Sequence, residues 1–440
     1  MSNRYLEIAC SNKSADNKMS FRNGISDLIF QIPAMNSTLI PSSVRVVGTL
    51  RIYKDGAKAI PATGDKLSID SALGVYGAFQ SLTTRSIRHQ QTIEHIRHWS
   101  HMLKTYLPLS TKLEDNIGHL NETSLTTPNW NVNRESVVTH TSADFTGNHF
   151  SISLPCGLLN GTSDIPLSNN MLGGLEIKLA LQPDSQFLYA YDGVTTGLTD
   201  AWYEFEDVKL VCEVHDYTPD QLSQMAAKSA GVFTYQSISS YYDTINSQNV
   251  SVNFNLGLSK VRSAFVTFVP STSLNSYKDN GYATLMPVNT DGSLGFVRKV
   301  VWTKGGALYP KHLELNNNIL NASSTSSCDP VLIRDYVSAV IPFVTNHNTM
   351  ISPTNVTRLV DGDITSATVV PYSKIAEGGL AWGLGISYDQ LGGSGSDFTT
   401  QQWGMNIDCN LITDNPISTF IFVNSEQSVV FNPNGIQVVQ

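Results

Sequence analysis

Trp202-Tyr203-Glu204-Phe205-Glu206-Asp207-Val208-Lys209-Leu210-Val211-Cys212-Glu213-Val214 alternates apolar and polar residues as a half-buried strand does. The apolar parity slips at Asp207 and Val208, which predicts a bulge there. The period then changes. Tyr217-Thr218-Pro219-Asp220 opens a short helix, with Thr218 as N-cap, Pro219 at the first helical position, and Leu222, Met225 and Ala226 on one side. Gly231 and the Ser/Tyr-rich run to Asn246 return the chain to irregular structure in this reading. A second alternation follows, with Val250, Val252, Phe254, Leu256 and Leu258 set against Ser251, Asn253, Asn255 and Ser259. One β-rich unit ends in this stretch and another begins, each flank being roughly 200 residues long.

A chain of 440 residues is too long for one ordinary core, so two domains are the default. We expect an arm over 1–20, a first sandwich over 21–217, a linker with a short helix over 218–246, and a second sandwich over 247–440. Charged residues are 15% of the chain, well below the usual quarter, and Asn, Ser and Thr take their place. That balance suits β-structure and wide surfaces that meet neutral partners. The formal net charge of −9 argues against a face that binds nucleic acid. The first 20 residues lack the apolar core of a signal peptide, and no apolar run is long enough to span a membrane. Cys10, Cys156, Cys212, Cys328 and Cys409 are odd in number and far apart, which speaks against a disulfide framework and for a product made inside a cell.

Short strands punctuated by prolines and turns fill both flanks: near 26–32, 44–53 and 150–154, then 262–269, 294–303, 330–343, 367–370, 383–388, 404–411, 418–423 and 436–439. Ile96, Trp99, Leu103 and Tyr106 mark one face of a helix of about three turns that Pro108 should stop. Gly174-Leu175-Glu176-Ile177-Lys178-Leu179-Ala180-Leu181 and Gly404-Met405-Asn406-Ile407-Asp408-Cys409-Asn410-Leu411 share a pattern, which points to internal duplication. The fold class is all-β: two eight-stranded jelly-roll β-sandwiches in tandem with one or two short helices.

Chemistry is sparse. His95, His98 and His101 step by three around Trp99, with His89 upstream. Helical metal ligands sit at i and i+4 with a carboxylate nearby, so these histidines predict a pH-sensitive polar face at an interface. Gly383-Leu384-Gly385 lacks the third glycine of a dinucleotide loop, and Gly393-Ser394-Gly395 lacks the spacing of a nucleophile elbow. Glu204 with Glu206, and Asp361 with Asp363, fit strand-edge and turn solvation better than paired catalytic carboxyls or a calcium loop. No catalytic, cofactor-binding or metal-binding residue is assigned; the chain is expected to be no enzyme and to need no cofactor.

Ile29-Phe30-Gln31-Ile32-Pro33 with Leu39-Ile40-Pro41-Ser42-Ser43-Val44-Arg45-Val46 resembles the first strands of the double jelly-roll major capsid proteins of the lineage of tectiviruses, adenoviruses, virophages and polinton-like viruses. Gln91-Thr92-Ile93-Glu94-His95-Ile96, Leu154-Pro155 through Ile165-Pro166-Leu167 to Gly173-Gly174-Leu175, Asp397-Phe398-Thr399-Thr400-Gln401-Gln402-Trp403-Gly404 and Gly435-Ile436-Gln437-Val438 resemble later segments of the same proteins. The likeness is nearest to the virophage and polinton-like members, whose barrels lack very long insertions. It implies a pseudo-hexagonal homotrimer that tiles an icosahedral virion shell, assembled inside a host cell. The implied partners are neighbouring trimers and penton and minor capsid proteins. Loops such as 112–136 and 315–329 would project outward or lock neighbours. Some members carry an amphipathic N-terminal helix; residues 1–20 show no such stripe, which leaves contact with an inner membrane open. The alternative function is a β-sandwich module for carbohydrate binding or tail-fibre-like attachment.

Overall fold

Trp202–Asp216 is a strand of 15 residues, and Phe205, Leu210, Cys212 and Val214 along it are fully buried. Its register against Arg45–Tyr53 shifts between Glu206 and Lys209, where Asp207 takes φ +53°. This is the bulge announced by the slipped parity. The side-chain amide of Asn17, also in the left-handed region, donates to the Asp207 carboxylate and closes the kink. The helix Pro219–Lys228 follows. Its N-terminus is a reciprocal capping box: Gln221 N donates to Thr218 Oγ1 (3.4 Å), and Thr218 N donates to Gln221 Oε1 (3.0 Å).

The computed structural model describes residues 2–440 apart from 15, 55–66, 71–72, 111–135, 138–147, 162, 191–199, 229–230, 285–296, 310–313, 317–337, 341, 344–382, 389–394, 410–415 and 433–434. Within them the chain repeats one strand order twice. In the first half, Ser2–Ala9, Trp202–Asp216, Arg45–Tyr53 and Asn148–Ser153 are neighbours in one antiparallel sheet. Asp27–Ile32, Leu175–Leu181, Phe79–Ser86 and Thr92–Ile96 form the facing sheet. In the second half, Val232–Ile245, Ile417–Asn432, Val261–Pro270 and Leu384–Ser387 form one sheet. Asn249–Phe254, Trp403–Cys409, Val297–Lys304 and Ala307–Leu308 form the other. Numbered along each half, both pairs of sheets read 1-8-3-6 and 2-7-4-5, which is the arrangement of an eight-stranded jelly roll. The two segments with the shared glycine pattern are the seventh strand of their respective halves. Short strands such as Lys18–Met19, Ser37–Leu39 and Gly435–Val439 extend the sheets.

Alternation explains the packing. Leu28, Phe30 and Ile32 point inward from one strand, and Val46, Leu50 and Ile52 from the facing sheet. Phe79 and Phe205, from opposite sheets, stack with ring centroids 5.4 Å apart. Cys10, Cys156, Cys212 and Cys409 are buried free thiols, and burial pushes those of Cys212 and Cys409 up to about 12. Cys328 lies outside the described residues.

Several expectations need correction. The stretch 1–20 is not a free arm: Ser2–Ala9 pairs along its whole length with Trp202–Asp216 and is the first strand of the first roll. The stretch expected as a linker, 218–246, ends in Val232–Ile245, the first strand of the second roll. Ile96 belongs to a strand rather than to the helix, which spans Trp99–Ser110 and takes in Pro108 in its last turn. Residues 338–340 and 342–343 are helical where a strand was expected. The strand expected at 367–370, and most of the loops 112–136 and 315–329, lie outside the described residues.

The eight-residue ladder from Ser2–Ala9 covers one edge of Trp202–Asp216, the strand at the centre of the first roll. Deleting residues 1–9 therefore uncovers backbone groups and the half-buried Leu6 and Ile8 sites. We expect the truncated chain to melt at least about 5 °C lower or to aggregate on expression. An unchanged melting curve by differential scanning calorimetry would show that this strand contributes nothing to the roll.

Candidate functional site

No strand ladder among the described residues joins the two rolls, yet their buried apolar side chains form one continuous cluster. What joins them is a seam of side-chain and backbone contacts. At its centre is Glu94, on the fifth strand of the first roll and almost inaccessible to solvent. Its Oε1 accepts from the backbone N–H of Gly157 (3.0 Å) and of Ile238 (2.7 Å); its Oε2 accepts from Leu158 N–H (3.0 Å). Gly157 and Leu158 belong to the first roll, and Ile238 to the first strand of the second. Burial raises the Glu94 carboxyl to about 7, against the pull of these N–H donors.

Gly157 is required by distance. A Cβ there would lie 1.8 Å from Gln236 O and 2.6 Å from Glu94 Oε1. The two backbones thus meet with no side chain between them. On either side, the Tyr235 hydroxyl donates to Ile93 O (2.8 Å), and Arg97 N–H donates to Ser240 Oγ (2.8 Å). Strand Thr92–Ile96 is therefore clasped along its length by strand Val232–Ile245.

A second contact is aromatic. Ring centroids of His101 and Phe420 are 3.9 Å apart with the planes nearly parallel. His98 lies 4.9 Å from the same Phe420 ring and 5.5 Å from Tyr242. A third contact is the segment after Val261–Pro270, which crosses over the first roll. Gln186 Oε1 accepts from Asn275 N–H (2.9 Å), the Tyr277 hydroxyl donates to Ala201 O (2.8 Å), and the Tyr282 hydroxyl donates to Gly77 O (2.5 Å). Asn280 Nδ2 donates to Asp70 Oδ2 (2.7 Å), which also receives Lys104 Nζ at 2.5 Å. Both members of that ion pair are about 1% exposed, and Asp70 Oδ1 takes a further bond from Leu73 N–H at 3.0 Å. A buried pair with its spare lone pairs satisfied fixes geometry more than it adds stability.

The histidines expected on one helix face are divided among three elements. His95 sits on a strand and bonds Thr83 Oγ1, His98 is in a turn at φ +54°, and His101 is on the helix. His98 and His101 meet at the seam; His95 and His89 do not join them. Among the described residues, no three His, Cys, Asp or Glu side chains converge as metal ligands. Glu204 and Glu206 are answered by separate cations, Lys18 (3.5 Å) and Arg51 (2.5 Å). Gly383 and Gly385 are buried at the strand Leu384–Ser387; Asp361, Asp363 and Ser394 lie outside the described residues. Sequence reasoning passed over Glu94, Gly157, Tyr235 and the clasp 274–282. Glu94 carries no local signal, because its donors come from segments far away in the chain.

No family model and no curated protein matches this sequence. Solved structures do match it. The Faustovirus major capsid protein superposes with a TM-score of 0.57 at 9% identity, over 98% of this chain and 90% of that one. The chain has the double jelly-roll fold of viral major capsid proteins. A chain of the Sputnik virophage gives a TM-score of 0.53 at 11% identity, over 99% and 88% of the two chains. The mavirus major capsid protein gives 0.51 at 10% identity, over 99% and 89%. In each comparison the match runs over nearly the whole chain, and so over both rolls.

The seam predicts the cost of one added methyl. Gly157→Ala sets a Cβ against Gln236 O and must push the rolls apart. It should lower the unfolding free energy by about 3 kcal/mol in urea titration. A loss under about 0.5 kcal/mol would mean that the two backbones are not in contact at this point.

Proposed function

We propose that this chain is a major capsid protein that forms pseudo-hexagonal homotrimers tiling an icosahedral viral shell. The observation that carries the reading is the pair of jelly rolls with the same strand order, held side by side by a buried seam. Such a chain presents two similar lobes as one rigid block. Three copies around an axis present six, so one gene product can fill a hexagonal tile. In this reading 2–217 and 232–440 are the two lobes, and the helix Pro219–Lys228 lies between them.

The rest of the chemistry fits a building block. The low charged fraction limits the cost of large interfaces, where each unpaired buried charge is worth several kcal/mol. Obligate interfaces of this sort bury more than about 2,000 Å². The acidic balance fits a shell whose partners are its own copies, with penton and minor capsid proteins at special positions, rather than packaged nucleic acid. The chain would act in the virion after assembly inside a host cell, without catalysis.

Multi-angle light scattering of the purified protein tests this directly. The expected mass is three times that of the chain, with three-lobed, hexagonally outlined particles in negative stain. A stable monomer at micromolar concentration would overturn the trimer.

A further inference from the structure

Beside the Asp70–Lys104 pair, the seam holds three ionisable side chains, His98, His101 and Glu94, that no opposite charge faces among the described residues. His98 and His101 line a cavity of about 200 Å³ between the rolls, together with Gln80, Gln182, Gln186 and Leu274. Among the described residues neither imidazole has a hydrogen-bond partner. Their surroundings are the rings of Phe420, Tyr242 and Tyr282, one another, and two cations: Arg97 beside His98, and Lys104 beside His101. Lys104 is already committed to Asp70. Glu94, at the other end of the same contact, faces the Cys156 thiol, the Tyr235 ring and three N–H donors, with no cation among its neighbours in the described residues. Among the described residues, a proton added at either histidine has no carboxylate to meet.

We propose that the seam is an acid-responsive latch in which His98 and His101 gain protons only by leaving Phe420, while Glu94 opposes the opening. Burial holds His98 at about 4 and His101 well below its usual value, and lifts Glu94 to about 7. At a pH near 5.5 the closed seam therefore carries two neutral histidines and a protonated Glu94. Once opened to water, the histidines return to 6.5 and the carboxyl to 4.5. Opening then takes up roughly two protons and releases roughly one. The depressed histidines stabilise the closed form above 6.5 and lose that effect as the pH falls, His98 through about 4 and His101 through its own lowered value. The raised Glu94 stabilises it below 4.5 and loses that effect as the pH rises through 7. Between about pH 6 and 5 the histidines prevail by about one proton, which makes opening about tenfold easier per pH unit.

His98 holds a left-handed backbone conformation that Asn accepts, and a Phe in place of His101 keeps a ring against Phe420. Urea denaturation of the full chain at pH 7, 6, 5.5 and 5 compares wild type, the double variant H98N/H101F, and E94Q. All other titrating groups contribute alike, so differences in slope report the seam. The double variant should differ from wild type by about two protons, which changes its unfolding constant by about a hundredfold per pH unit relative to wild type. E94Q should steepen the acid loss by about one proton. Should the double variant fail to fold, H98N alone should flatten the slope by about one proton. Equal pH slopes in wild type and a folded histidine variant would overturn the latch, whatever the oligomeric state proves to be.

Discussion

A carboxyl group held by three backbone N–H donors sits at the junction of two sandwiches, and its needs decide how they meet. Glu94 can be buried only if dipoles replace the water it gives up. Two N–H groups from the 157–158 turn and one from Ile238 do so, and they belong to different rolls. Sliding one roll past the other by a single residue would strand a donor and the carboxyl together. Gly157 tightens the constraint by letting Gln236 O approach where any side chain would stand. The contact thus specifies one relative placement, and the His101–Phe420 stack and the 274–282 clasp are built on that placement.

Each roll has its own alternating strands, and the apolar core that runs through both does not by itself fix how the pair meets. Polar geometry does. The buried Asp70–Lys104 pair offers little net stability, because its desolvation offsets its attraction. Yet Asn280 from the second roll finds its partner only where Asp70 is held, and Lys104 does the holding. Tyr282 and Tyr277 reach carbonyl groups of the first roll in the same way.

What was legible in the sequence follows from the same division between core and edge. Central strands such as Trp202–Asp216 and Leu175–Leu181 bury one face fully, so their alternation is plain, and even the bulge at Asp207 showed as a lost beat. Phe79–Ser86 and Thr92–Ile96 escaped notice, and so did the first strand of each roll, Ser2–Ala9 and Val232–Ile245. The latter two lie at a sheet edge, with one neighbour each and exposed residues such as Tyr5 and Val232. An edge strand is not required to alternate, and polar residues there guard against unwanted pairing. The helix was misplaced for a different reason. Ile96 and Trp99 face the same core from a strand and a helix, and His98 at positive φ turns the chain between them. Spacing alone mimicked a continuous helical face.

The seam was illegible because the contacts across it join segments distant in the chain. The histidine steps were visible, but Phe420 beneath them was not, and nothing in the segment Gln91–Ile96 singled out Glu94. Two rolls of one strand order but different sequence make such a seam possible. Identical rolls can meet only through a contact that is self-complementary or that repeats indefinitely. Rolls of different sequence in one polypeptide can carry different facing surfaces: Glu94 and the histidines on one, Tyr235, Ile238 and Phe420 on the other. The strand order that both halves keep is the part constrained by the fold. The contacts that only one half carries are the part that makes a single rigid unit from two.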